Sequence, residues 1–265
     1  MTGWYVWGLM SGVRLEPKGP LTVLRLDKAR GNAIDEPLVD ALREAARTLG
    51  ADDSVRGVLL ASAHPKIFCP GLDLVGIIDY GRDDMERFML RFAEAVWALY
   101  GLPKPVVAAV GGHAVAGGCI LALTADYRVL KKGGVQMGLN EVRIGVPLPW
   151  SVSVLLRTAV PASSLAQVAL LGRNFADEEA RVVGLADELA DADGFEERCL
   201  ARLGEYAEKD ALALGTTKAY LRADALQVMA AQEQERISEF LDGWFSEPTR
   251  RRMRGMVDEL ARPKG

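Results

Sequence analysis

Glu141 is the residue around which chemistry could be built. It is the one carboxylate in Gly138-Leu-Asn-Glu-Val-Arg-Ile-Gly-Val-Pro-Leu-Pro-Trp150, a run otherwise dominated by apolar residues, glycine and proline. Roughly twenty residues earlier, Val106-Val-Ala-Ala-Val110 leads into Gly111-Gly-His-Ala-Val-Ala-Gly-Gly-Cys-Ile120. A β-branched run that meets glycine pairs before apolar residues resume at helical spacing predicts a strand, a turn and a helix. The first amides of a helix lack intrahelical acceptors and its dipole favours negative charge, so Gly117 and Gly118 can offer N–H groups to a developing oxyanion. Such donors and a lone carboxylate suit the removal of a proton beside a carbonyl. A glycine pair in this place also serves close packing of helix on strand, and that alternative stands beside the first.

A second turn, Lys66-Ile-Phe-Cys-Pro-Gly-Leu-Asp73, ends a strand at Pro70-Gly71 and can leave the Leu72 N–H outside any ladder; a plain tight turn is the alternative. Three other residues invite attention and are expected to be structural. His113 reads as a hydrogen-bonded packing residue and Asp126 as an anchor for the strand after it. Cys119 has no histidine partner in view and reads as core.

The elements that must position these residues follow from pattern. Leu21–Leu26 and Val55–Ala61 read as strands. Asp35 caps a helix with Pro37 in its first turn and Leu38, Leu42, Ala45, Ala46 and Leu49 on one face. Asp83 and Asp84 open a second helix, with Met85, Phe88, Met89, Phe92, Val96 and Leu99 at helical spacing until Pro103. Strand and helix alternate, which predicts parallel strands joined by right-handed crossovers. Beyond Trp150 the pattern is mostly helical: Ser151–Val160, Pro161–Leu171, Asp177–Val182, Phe195–Glu208, Leu212–Arg222, Ala225–Leu241 and Glu247–Leu260. Ile237, Phe240, Trp244 and Phe245 are too apolar for helices lying on water and need a partner surface.

Composition sets the bounds. The 265 residues carry a formal net charge of −4, which speaks against nucleic acid as partner. Three scattered cysteines predict no disulfide framework, and two unrelated histidines no metal site. Met1–Met10 has no basic region like that of a signal peptide. Val106–Ala125 is uncharged and almost long enough for a membrane span, but its glycine pairs and His113 favour the strand-turn-helix reading over a membrane protein. A cytoplasmic location is expected.

Ala116-Gly-Gly-Cys-Ile-Leu-Ala-Leu-Thr-Ala-Asp-Tyr-Arg-Val-Leu130, together with Gly138-Leu-Asn-Glu-Val-Arg-Ile-Gly145, resembles the crotonase, or enoyl-CoA hydratase/isomerase, superfamily and looks most like its Δ3,Δ2-enoyl-CoA isomerase branch. The likeness covers about Leu21 to Leu189 and is strongest from Phe68 to Trp150. It implies that the Leu72 and Gly117 N–H groups form an oxyanion hole for a thioester and that Glu141 is the catalytic base. Hydratases of this superfamily use two glutamates, and the first is matched here by Ile120. Dienoyl-CoA isomerases carry an aspartate where this chain has Pro149. By the same likeness Lys66 lines the adenosine end of coenzyme A. Lys28 and Arg30, with Arg25 and the Asn32-Ala33 turn, are the candidates for its phosphate and adenine end. The run Arg250-Arg-Arg252 with Arg254 is a solvated helix face or a second contact to those phosphates. Trp150, Ile120 and Ile77 are expected to line the acyl pocket.

The fold implied is α/β: a crotonase-like spiral of ββα turns over residues 1–200, followed by a helical trimerisation region over 201–265, assembled as a homotrimer or homohexamer. No separate cofactor is implied, since coenzyme A is part of the acyl-CoA substrate. The activity implied is isomerisation of 3-enoyl-CoA to trans-2-enoyl-CoA in fatty acid β-oxidation. The alternatives are another acyl-CoA reaction of the family, hydratase-like or thioester-hydrolysing, or a CoA-binding homologue without chemistry.

Overall fold

The computed structural model describes residues 11–261, so the reading of Met1–Met10 lies outside the described residues. Among the described residues, ten strands form two sheets. The larger has the order β1-β2-β3-β5-β7-β10, made of Val13–Lys18 (β1), Leu21–Leu26 (β2), Gly57–Ser62 (β3), Val106–Val110 (β5), Tyr127–Lys131 (β7) and Glu188–Ala190 (β10). The smaller has the order β4-β6-β8-β9, made of Ile67–Cys69 (β4), His113–Val115 (β6), Gln136–Gly138 (β8) and Asn174–Ala176 (β9). From β3 to β8 the chain alternates between sheets, one strand in each before a helical or turn connection, and neighbours pair in parallel. This is the spiral of ββα turns expected from the motifs. Val106–Ala125 is two strands and a short helix, and no described helix is long and apolar enough to cross a membrane.

Edge strand β1 is missing from the sequence reading. It pairs antiparallel with β2, turning Val13 and Leu15 inward and Arg14 and Glu16 outward. Pro17 obscures the alternation, yet an edge strand tolerates proline because one row of its backbone groups has no strand to bond.

Helices wrap the sheets. Glu36–Ala51 (α1) starts where the Asp35 carboxylate accepts the Leu38 N–H at 3.0 Å, and Pro37 occupies its first turn. Leu74–Ile77 (α2) and Arg82–Tyr100 (α3) follow β4, and Gly117–Leu123 (α4) follows β6. Then come Glu141–Ile144 (α5), Trp150–Ala159 (α6), Leu165–Leu170 (α7) and Asp177–Val182 (α8). Phe195–Ala207 (α9) covers the outer face of the large sheet, with Cys199 and Leu203 packed in one apolar cluster with Val23, Leu59, Val107 and Val129. A division at residue 200 would therefore cut through a helix that belongs to the sheet.

The expected break between Leu212–Arg222 and Ala225–Leu241 is absent. Ala211–Phe245 (α10) is one helix, because Lys218, Arg222, Ala225, Met229, Glu233 and Ile237 all turn inward and bury a single stripe. Its seam mixes charge with hydrocarbon, which hides the stripe from a purely apolar count. Glu247–Ala261 (α11) completes the chain.

Asp126 ties this long helix to the sheet. One carboxylate oxygen accepts the Val106 N–H and the Lys218 ammonium, each at 2.7 Å, and the other accepts from Arg222 at 2.6 Å. Asp126 thus pins the start of β5 and docks α10, a wider role than anchoring the strand that follows it. Burial pushes Lys218 down to about 8. Removing the carboxylate would strand two half-neutralised cations in the interior. Asp126→Ala is expected to cost about 3 kcal/mol, read as a lower urea midpoint with an unchanged slope.

Candidate active site

Two close backbone crossings build the site. A Cβ placed on Gly118 would lie 2.0 Å from the Cys69 carbonyl oxygen, and one on Gly112 would lie 2.2 Å from the Ile67 nitrogen. Glycine at these positions lets β6 and the start of α4 press against β4 at distances no side chain permits. The packing reading of the glycine pair is thus right for Gly118. Gly117, beside it, is placed to do something else.

Ala116 precedes α4 with φ of 50° and ψ of −123°, a conformation that an alanine adopts at a cost, and its own N–H donates to the Gly138 carbonyl at 2.8 Å. The turn leaves the Gly117 N–H as the first of the helix, without an acceptor among the described residues. Across from it, Ile34 forms a one-residue parallel bridge to Leu72: the Ile34 N–H donates to the Gly71 carbonyl and the Asp73 N–H donates to the Ile34 carbonyl, both at 2.8 Å. In such a bridge the flanking residues bond and the central residue faces the other way. The Leu72 N–H therefore has no acceptor among the described residues. Gly71, with φ of 101°, carries this turn so close to Gly117 that a Cβ on Gly71 would lie 3.3 Å from the Gly117 nitrogen. Two free N–H groups from separate strands thus border one cleft.

Glu141 borders the same cleft as the first residue of α5. It is 7% exposed, and its Oε2 has no hydrogen-bond partner among the described residues. Burial pushes its carboxyl up to about 7 from an ordinary 4.5. The wall around it includes Leu72, Ala116, Gly117, Ile120, Asn140, Ile144, Val146 and Pro149, completed from distant helices by Met89, Phe92, Phe240, Trp244 and Met256. Among the described residues that line it, Glu141 is the only ionisable side chain.

The sequence places the centre of the site and misjudges its walls. Ile120 lines the cleft as expected. Trp150 does not: its indole donates to the Val228 carbonyl at 3.2 Å, and the Arg157 and Arg236 guanidiniums sit over its ring. The first turn of α6 aims it at α10, and Pro149 takes its place in the wall. Ile77 is also outside the lining; at 1% exposure it is spent on the core between α2 and its neighbours. Val142, next to Glu141, is turned out to solvent by the helix. Phe240, Trp244 and Met256 are about a hundred residues or more away in sequence, and their only signal was apolar bulk that demanded a partner.

Gly31 packs against Ile67, and the exposed Arg30 lies 3.6 Å from Asp73, the neighbour of the lining residue Leu72. Lys66 is exposed in the bend before β4, its carbonyl accepting the His113 N–H at 2.9 Å. Lys28 is tied into its own turn, donating to the carbonyl of buried Ala33 at 3.0 Å and pairing with Asp35 at 3.1 Å. Arg25 pairs with Glu16 and Glu196 on the outer side of the sheet, so it is already neutralised there. The arginine run is divided: Arg251 pairs with Glu247 in solvent, whereas Arg252 reaches the Ile144 carbonyl and Arg254 pairs with Asp79. With Thr249 donating to the Gly145 carbonyl at 3.0 Å, these contacts hold α11 over the loop that follows Glu141.

His113 is exposed on β6, its Nδ1 accepting the Gln136 N–H at 3.2 Å, away from the cleft. Burial raises the Cys119 thiol to about 12, which removes thiolate chemistry.

The sequence profile described as enoyl-CoA hydratase/isomerase matches residues 17–257. A protein of Thermus thermophilus that carries the provisional name enoyl-CoA hydratase is 32% identical over 234 residues, covering 87% of this chain and 90% of its own. Human mitochondrial enoyl-CoA delta isomerase 1 is 24% identical over 246 residues, covering 92% of this chain and 82% of its own. The crystal structure of human mitochondrial delta3-delta2-enoyl-CoA isomerase superimposes with a TM-score of 0.91, covering 96% of this chain and all of that one at 24% identity.

The buried carboxyl has a thermodynamic signature. Because its folded value lies above the unfolded one, the folded state carries no penalty below about pH 4.5, where both forms are protonated, and an increasing one as pH rises towards 7. Glu141→Gln cannot ionise. It is expected to be more stable than the parent by up to about 3 kcal/mol at pH 8 and equal to it near pH 4, measured by urea unfolding at both values.

Proposed function

The chain belongs to the enoyl-CoA hydratase/isomerase family, and on that premise we propose that it isomerises 3-enoyl-CoA to trans-2-enoyl-CoA. The observation that carries this reading is the single ionisable side chain in the cleft lining. A 1,3-proton shift needs one group that takes a proton from C2 and returns it at C4, whereas hydration by this family draws on a second glutamate whose place Ile120 fills. Glu141 abstracts the C2 proton as a carboxylate, and charge moves onto the thioester oxygen. The Leu72 and Gly117 N–H groups donate hydrogen bonds to that oxygen and stabilise its charge; each such donor is worth about 3 kcal/mol of barrier. Protonated Glu141 then delivers the proton to C4, leaving the double bond between C2 and C3.

The apolar wall serves both steps, since a carboxyl poised near 7 is a stronger base than an exposed one and releases its proton again at neutral pH. Exposed Arg30, beside Asp73, and exposed Lys66 suit the phosphates and adenosine of coenzyme A, with the turn of Lys28 and Ala33 holding the backbone next to Arg30. Exposed Leu212, Tyr220 and Leu221 on α10, with Leu170, Leu171 and Val182, support assembly into a homotrimer or homohexamer through apolar faces.

Hydration is the second reading, favoured by the name of the Thermus relative and opposed by Ile120. Conversion of 3-hexenoyl-CoA to the conjugated thioester, followed by absorbance, is expected to exceed consumption of 2-hexenoyl-CoA, and Glu141→Gln to reduce it by at least about a thousandfold. The parent's kcat/KM is expected to rise with pH and level off above about 7, as the base must be ionised. Consumption of the 2-enoyl thioester as the dominant reaction would instead establish a hydratase working with one carboxylate.

A further inference from the structure

Two residues of the cleft carry a buried side-chain atom with no hydrogen-bond partner among the described residues: Glu141 through Oε2 and Trp244 through Nε1. The carboxylate oxygen is accounted for by the proton it must take up. The indole nitrogen is not. Trp244 is 2% exposed near the end of α10, its ring stacked on Phe240 at 5.9 Å between centroids. Each of the other described tryptophans gives its N–H to an acceptor: Trp97 to the Ser151 hydroxyl at 2.7 Å and Trp150 to the Val228 carbonyl at 3.2 Å. Buried indoles ordinarily do so, because an N–H taken out of water and left unpaired opposes folding. A phenylalanine would give the same stacking without that donor.

The protein has little to offer this donor. Around Trp244 the long helices contribute Met89, Phe92, Phe240 and Met256 to the lining, which are hydrocarbon and thioether. An acceptor brought in by the occupant of the cleft would satisfy it. We propose that the Trp244 N–H donates a hydrogen bond to an oxygen carried along the acyl group, so that the cleft selects acyl-CoA chains bearing a keto, hydroxyl or ether oxygen over plain alkyl chains. This rests on the acyl-CoA reading above. A plain alkyl chain covers the indole and leaves the donor unpaired, whereas an oxygenated chain gives up its own hydration for a matched partner; sites with a buried donor discriminate in this way.

Saturated chains cannot isomerise, so binding tests the proposal apart from the chemistry of Glu141. Titration calorimetry would compare octanoyl-CoA with octanoyl-CoAs carrying a keto oxygen at successive carbons from C4 outward, on the parent protein and on Trp244→Phe. One keto position is expected to bind about tenfold more tightly than octanoyl-CoA, and that ratio to fall to about one in Trp244→Phe. Equal affinity for all chains in the parent, or a preference that survives Trp244→Phe, overturns the proposal. The parent comparison decides it even if the variant does not fold. Binding of octanoyl-CoA without any keto preference overturns this proposal alone, whereas no binding of any chain overturns the acyl-CoA reading with it.

Discussion

The contact between Gly118 and the Cys69 carbonyl is the constraint from which the site follows. Two segments from successive turns of the spiral meet there at backbone distance. Because neither can retreat, the turn at Gly71-Leu72 and the turn at Ala116-Gly117 are set side by side, each with an N–H its own strand cannot use. The positive φ of Ala116 is a local cost of the same arrangement. A chain that relieved it by sliding the turn would also separate the two amides, so the strain and the paired donors come together.

Around this crossing the molecule keeps one carboxylate dry. Residues near Glu141 in sequence supply part of the shield through Ile144 and Val146, and the rest comes from α3, α10 and α11. Those helices reach the cleft because α10 is pinned at Asp126 and because Thr249 and Arg252 hold α11 onto the carbonyls of Gly145 and Ile144. The raised pKa of Glu141 is therefore a tertiary property. It depends on side chains about a hundred residues downstream, not on Val142, which points to water.

What the sequence reveals divides along the same line. Strand β5, the glycine turn, the Asp35 cap and the apolar face of α3 are each written in a local pattern, and all appear as read. Leu72, Gly117, Glu141 and Ile120 were legible because short motifs of fixed spacing carried them, and the structure brings all four to one cleft. The walls were not legible. Trp150 looked like a pocket residue by proximity to Glu141, but one turn of helix rotates its ring towards α10; Ile77 likewise spends its side chain on the core. The unbroken α10 was concealed by Lys218, Arg222 and Glu233, charged residues that read as a solvent face until Asp126 and Ser151 are seen opposite them.

The length of α10 has a mechanical side. Arg222 clasps Asp126 and the carbonyls of Tyr100 and Thr124, while Phe240 and Trp244, on the same helix, form part of the cleft wall. At 1.5 Å per residue the clasp and Phe240 are about 27 Å apart. Midway along, Glu233 accepts the Ser151 N–H at 2.7 Å, so the aromatic tip is placed by a row of contacts that starts at the rim of the sheet. Pocket width in this molecule is thus set partly by residues outside the cleft lining, and substitution at the clasp is a route by which the cleft can change while every lining side chain stays as it was.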